Sequence, residues 1–149
     1  RIYYGGQDSN GSIETNAAII AAKIEEYRSL GDEGQIIFTM DTHDRHYMES
    51  HEGKHLPVPH CMDGEDGWQL YGKIKDLKAP EDLVFSKPTF GSYELGEYLH
   101  MHKDEYESVE FVGVVTNICV IYKLIINIST NIHYTDITRS PLLFHGSFS

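Results

Sequence analysis

Gln35-Ile-Ile-Phe-Thr-Met-Asp-Thr-His43 decides how this chain is read. Its first six residues, Gln35–Met40, are short, apolar and β-branched, the mark of a buried strand. Asp41 and His43 follow at once. In extended backbone, residues two apart face the same way, so a carboxylate and an imidazole there can reach one ion. Open α/β sheets bind ligands beyond the carboxyl ends of their strands, which is where these two groups stand.

Outward from this strand, helices and strands alternate. Upstream, Ala17, Ile20, Ile24 and Tyr27 recur at helical spacing and end at Leu30 and Gly31. Thr15 or Asn16 is expected to cap that helix, and Gly31 to stop it in a left-handed conformation. Gly5–Gly11 is loop by composition, and Arg1–Tyr4 could be the stub of a strand. Downstream, a long polar loop runs from Asp41 to about Gly67, and Trp68–Lys75 is expected to be a short helix. Leu83–Phe85 reads as a third strand, Ser92 as the cap of a helix carrying Leu95, Tyr98 and Leu99, and Val109–Val115 as a fourth strand. A helix carrying Cys119, Ile121 and Leu124 is expected from Asn117, and a weak fifth strand over Ile132–Ile137. Alternation of this kind calls for a parallel sheet with helices on its faces. Asp41, His43, Lys87 and Cys119 all then fall at carboxyl ends of strands, on one edge of the sheet.

Composition narrows the function classes. The chain has 149 residues, 40% hydrophobic and 11% aromatic, which suits one globular domain over residues 1–149 and argues against disorder. Its formal net charge of -11 disfavours nucleic acid and anionic membrane as partners. No stretch reaches the ~20 apolar residues of a membrane span, and no signal peptide is visible. Two cysteines, Cys61 and Cys119, make no disulfide framework, so a cytoplasmic protein with a reactive or metal-associated thiol is expected.

The chemistry gathers in two places. The loop after Asp41 and His43 adds His46, His51, Glu52, His55 and His60, a donor set suited to zinc, manganese or iron. Spacing alone does not select which histidines bind, and Cys61 beside His60 is either a ligand or a packed thiol. Cys119 sits at a strand-to-helix turn, where a helix N-terminus favours the thiolate and backbone amides can stabilise an oxyanion. Lys87 lies in Phe85-Ser-Lys-Pro-Thr-Phe-Gly-Ser92, where Pro88 and Gly91 turn the chain and aim the lysine over the sheet edge. Trp68 and Phe90 are either core or an aromatic wall for a planar substrate.

Four segments together resemble a known family. Asp41-Thr-His-Asp-Arg-His-Tyr47, Glu52-Gly-Lys-His-Leu-Pro-Val-Pro-His-Cys61, Phe85–Ser92 and Gly113-Val-Val-Thr-Asn-Ile-Cys-Val120 are similar, in order and spacing, to nicotinamidases (pyrazinamidases) of the isochorismatase-like cysteine hydrolases. The resemblance runs from about Ala17 to Ile121. It implies a three-layer α/β/α domain with a mainly parallel sheet, here lacking part of the last strand–helix unit. It implies hydrolysis of nicotinamide to nicotinate and ammonia through a cysteine thioester, in NAD salvage, with a homo-oligomer left open. Cys119 would be the nucleophile, Lys87 would orient the site and stabilise charge, and the amides of Val115 and Cys119 would form the oxyanion hole. Asp41, His43 and His60 match metal ligands, with Glu52 as the fourth and His51 as its alternative. Zinc is the expected metal, with manganese and iron as alternatives. Phe90 and Trp68 would contact substrate. The start of the chain departs from the pattern, as does its poorly matched end over Tyr122–Ser149: the family's catalytic Asp falls near Tyr3, Asp8 lies too far along the chain, and the aromatic clamp expected shortly after that Asp is absent. That departure raises two other readings, a catalytically silent member that keeps the metal site, and a hydrolase of another small amide.

Overall fold

The computed structural model describes residues 13–113 and 133–136. Arg1–Tyr4, Gly5–Gly11, Val115 and the expected helix with Cys119 lie outside the described residues. Helix α1 spans Ile13–Ser29, followed by strand β1 over Ile37–Asp41. Helices α2 (His51–His55) and α3 (Lys73–Leu77) precede β2, Leu83–Lys87. Then come α4 (Tyr93–Met101), β3 (Ser108–Phe111) and β4 (His133–Asp136). β1 pairs with β2 in parallel, from Ile37 opposite Leu83 to Asp41 opposite Lys87. β3 pairs with β4 in parallel, from Ser108 opposite His133 to Phe111 opposite Asp136. The expected parallel α/β architecture is present.

Strand alternation in β1 makes the layers. Phe38 packs with Ala17, Ile24 and Ile74, so α1 and α3 cover one face. Ile37 points the other way and packs against Leu95, Leu99 and Phe111, so α4 covers the opposite face. Among the described residues, no helix is long and apolar enough to cross a membrane.

Element boundaries differ from the expectations for local reasons. β1 starts at Ile37, not Gln35, because its ladder begins only where Leu83 supplies a partner. β2 continues past Phe85 through Ser86 and Lys87, which stay in the ladder although the apolar signal has stopped. α1 already runs through Thr15 and Asn16, so neither caps it, while Glu14 in its first turn suits the helix dipole. Gly31 does take the left-handed conformation, at φ +60°. The helix expected over Trp68–Lys75 is split into a 3-10 turn, Asp66–Trp68, and α3. Gly72 separates them at φ +51°, which no helix accommodates.

One buried ion pair ties α1 to the start of β2. The Asp82 carboxylate accepts from Arg28 Nη2 and from the Ala79 N–H at 2.8 Å, with its side chain 2% exposed. Burial alone would raise the Asp82 pKa, but the Arg28 and Ala79 hydrogen bonds and the Arg28 charge outweigh it and hold the carboxyl below the usual range. A depressed carboxyl stabilises the fold above the unfolded value of about 4, and that contribution is lost as pH falls through the folded value. Asp82→Asn is therefore expected to cost about 1–3 kcal/mol near pH 7 and distinctly less at about pH 3. Urea unfolding at both pH values checks this, and equal losses would refute it.

Candidate metal centre and active site

The ends of β1 and β2 set the first half of the site. Asp41 and Lys87 are ladder partners at the last position of each strand. Lys87 is 3% exposed, and a buried ammonium needs anionic and carbonyl partners. It has them: Asp41 Oδ1 accepts from its Nζ, and so does the Thr89 carbonyl at 3.0 Å. The turn after Lys87 is tightened by Thr89 Oγ1 donating to the Gly91 carbonyl, and α4 then starts at Ser92, whose Oγ accepts from the Leu95 N–H. The Trp68 indole donates to Thr42 Oγ1 at 2.9 Å, which brings its ring beside the end of β1.

The second half begins where the chain changes partners. The Thr42 N–H still donates to the Lys87 carbonyl at 2.9 Å, but the His43 N–H donates to Cys61 at 3.0 Å, and His43 accepts from the Asp63 N–H at 2.9 Å. His43 thus lies alongside the segment that carries His60. Cys61 takes φ +47°, a left-handed conformation that costs a non-glycine residue and marks a shaped loop. The His43 ring packs on Tyr47 and His60, with centroids 4.6 and 4.8 Å away. Tyr47 is 3% exposed and donates to the Leu56 carbonyl, so it braces the loop from inside. Ser50 caps α2 by accepting from the Gly53 N–H at 2.9 Å. That turn carries Glu52 inward, with Oε1 3.7 Å from both His43 Nε2 and His60 Nε2. Ligand atoms of His43, Glu52 and His60 all lie within 4.8 Å of one another.

Burial governs the electrostatics of this trio. Burial pushes the His43 pKa down to about 4, with His60 adding to the effect and Asp44 opposing it, so the ring is neutral near pH 7. Burial likewise raises the Glu52 carboxyl, against the influence of His60. His60 Nδ1 lies 2.8 Å from the Val58 carbonyl, which can only accept, so Nδ1 is the donor there and Nε2 is the nitrogen that faces Glu52. His43 Nε2 is buried without a hydrogen-bond partner. An orphaned imidazole nitrogen, a second imidazole and a carboxylate are a donor set that fits zinc, manganese or iron.

Residues 3–125 match the isochorismatase domain. The chain belongs to the isochorismatase family. Its fold is similar to that of nicotinamidase/pyrazinamidase PncA from Bacillus subtilis, with TM-score 0.69 at 19% identity, over 83% of this chain and 69% of that one. A second structure, nicotinamidase PncA from Bacillus subtilis, matches with TM-score 0.61 at 22% identity, over 83% of this chain and 66% of that one. The chain thus spans about two thirds of the length of these structures. No curated protein matches it.

Within this isochorismatase domain, the structure brings together part of the expected set. His43, Glu52 and His60 converge, and it is Glu52 that joins the histidines, while His51 is exposed on α2. Asp41 is directed to Lys87, because the chain leaves the ladder between Thr42 and His43 and the simple alternation ends there. His46 is exposed, beside Arg45 and Glu49. Cys61 contributes backbone to the loop, and its sulfur is outside the trio. Phe90 is half-buried in the turn between Lys87 and Ser92. Val115 and Cys119 lie outside the described residues. The sequence reading missed Tyr47, whose signal was an aromatic residue set among polar ones at the start of a loop.

Gly53 has a structural duty here. A Cβ on Gly53 would meet the Tyr47 carbonyl oxygen at 2.0 Å, so only glycine lets α2 lie against the Tyr47 turn. Gly53→Ala is expected to shift Glu52 and weaken zinc binding by about tenfold, in the range found for groups that support ligands. Equilibrium dialysis against zinc measures it, and unchanged affinity would show that Glu52 does not depend on this contact.

Proposed function

We propose that this domain is a metal-dependent amidohydrolase that converts nicotinamide to nicotinate and ammonia. The observation that carries the proposal is the His43–Glu52–His60 trio, whose His43 follows two residues after Asp41, the strand-end partner of the buried Lys87. His43, Glu52 and His60 would hold a divalent ion, zinc first, with manganese and iron as alternatives; Oδ2 of Asp41 is the oxygen that carboxylate has left to offer. Such an ion, when bound, supplies a Lewis acid for a pyridine nitrogen and for water. An open surface cleft of about 440 Å³ reaches the trio at His43, with Thr42, Tyr47 and Pro88 beside it and Asp44, His46, Glu49, Ser50 and Asp63 forming the rest of its wall. Trp68 and Phe90 would contact the pyridine ring.

Cys119 Sγ, as thiolate, bonds to the carboxamide carbon, and the carbonyl electron pair moves onto oxygen. The amides of Val115 and Cys119 receive that oxyanion, with the Lys87 ammonium adding positive charge. Collapse of the intermediate breaks the C–N bond, and ammonia leaves with the proton released by the thiol. Water then cleaves the thioester to nicotinate and returns the thiol.

A second reading rests on a specific observation. The Lys87 ammonium is held by Asp41 and Thr89, and residues 1–7 of the sequence, where the family's catalytic Asp falls, contain no Asp or Glu. A silent member would keep the metal site and bind amides without turning them over. Ammonia release from nicotinamide by the zinc-loaded chain decides between them. Turnover supports the amidohydrolase; zinc and nicotinamide binding without ammonia sinks it in favour of the silent reading. A panel of other small amides, run in parallel, tests the substrate.

A further inference from the structure

We infer that His51 and His55 form a second chelate, on the exposed face of α2, for a late first-row divalent cation: copper(II), nickel(II) or zinc. The two residues are four apart on α2, so one helical turn stacks their rings on the same side. Their ring centroids lie 4.5 Å apart at an interplanar angle of 33°. Both residues are exposed, so a hydrated ion can reach them and keep waters in its remaining positions.

The tautomer of His55 is already set for binding. Its Nδ1 lies 2.8 Å from the His51 carbonyl, which can only accept, so Nδ1 is the donor there and Nε2 is the nitrogen left to meet an ion. A backbone carbonyl holding the distal nitrogen is the support that metal-binding histidines ordinarily have. The strong net negative charge of the chain, -11, raises the cation concentration around it.

The order His51-Glu-Gly-Lys-His55 also matches the His-Glu-x-x-His pattern of zinc hydrolases. In that pattern the glutamate serves the ion held by its own two histidines. Here Glu52 Oε1 stands 3.7 Å from His43 Nε2 and from His60 Nε2, on the inward side of the turn. The hydrolase reading of the motif therefore fails, and what remains is a two-imidazole chelate separate from the inner trio. The order of divalent affinities for nitrogen donors makes copper(II) its tightest occupant.

The test uses the full chain titrated with copper(II) or nickel(II) alone, with bound metal counted after equilibrium dialysis. The wild-type chain is expected to take up two equivalents. His51→Ala/His55→Ala is expected to take up one, and His51→Ala alone to weaken the second equivalent by about tenfold or more. The exposed positions allow these variants to fold, which circular dichroism verifies. His43→Ala/His60→Ala is expected to lose the other equivalent and keep this one, with a copper electron paramagnetic resonance signal from imidazole nitrogen that is abolished when His51→Ala/His55→Ala is added to the same chain. A wild-type chain that binds one equivalent overturns the proposal. So does a His51→Ala/His55→Ala chain that still binds two, or one that binds none.

Discussion

Cys119→Ser is expected to reduce ammonia release from nicotinamide by about 10⁴-fold or more, with zinc binding unchanged. A thiol has a pKa of about 8.5, so some thiolate is available near neutral pH where a serine hydroxyl stays protonated. Losing a nucleophile that acts as one unit with its partners removes most of the rate at once, and oxyanion stabilisation and binding retain only a residue. Zinc binding separates a chemical loss from a folding loss, because His43, Glu52 and His60 belong to the loop between β1 and α3. Ammonia measured with and without nicotinamide, beside zinc stoichiometry, is the check. A serine variant with near wild-type turnover would remove Cys119 from the mechanism.

The parts of this fold that show in the sequence are those where burial writes the pattern. Phe38 and Ile37 announce a strand covered on both faces, and the packing of α1 and α3 on one and α4 on the other follows. Leu95 and Leu99 announce a helix, and Ser92 caps it as expected. Apolar pattern fails where a strand ends in chemistry. Ser86 and Lys87 extend β2 because Met40 and Asp41 give them ladder partners, a fact held in the other strand rather than in their own residue types.

The site divides along the same line. Donor types and the position of Asp41, His43 and Lys87 at strand ends follow from local sequence and the rule for parallel sheets. Which histidine joins the centre does not, because it depends on a bridge between His43 and Met62 and on a five-residue helix inside what reads as loop. Ser50 begins that helix and Gly53 lets it approach Tyr47, and these two contacts select Glu52 over its neighbour His51. The pairing of Asp41 with Lys87 is likewise a matter of register, since the two are opposed only if Ile37 meets Leu83.

His43→Ala is expected to weaken zinc binding by about 10²-fold or more and to remove most of the thermal stabilisation that zinc confers. Closed protein zinc sites bind with about 10–16 kcal/mol, so one ligand of about four accounts for roughly 3 kcal/mol, or about two decades of affinity. Of the trio, His43 is the residue best prepared for an ion. It is neutral near pH 7, 5% exposed, and carries a buried Nε2 with no other partner, so binding releases an unfavourable desolvation as well as forming a bond. A ligand that binds only the folded state stabilises it by about 2.7 kcal/mol at a hundred times its dissociation constant, and a hundredfold weaker site forfeits nearly all of that at the same concentration. His60→Ala is expected to behave alike, since its Nε2 faces the same Glu52 oxygen. His46→Ala is the control, because that exposed ring is engaged with Arg45 and Glu49 and should change neither quantity. Equilibrium dialysis gives the affinities, and melting in zinc against melting in chelator gives the stabilisation. If His43→Ala binds zinc as the wild-type chain does, the ion is held elsewhere and the trio is a buried polar cluster without a metal.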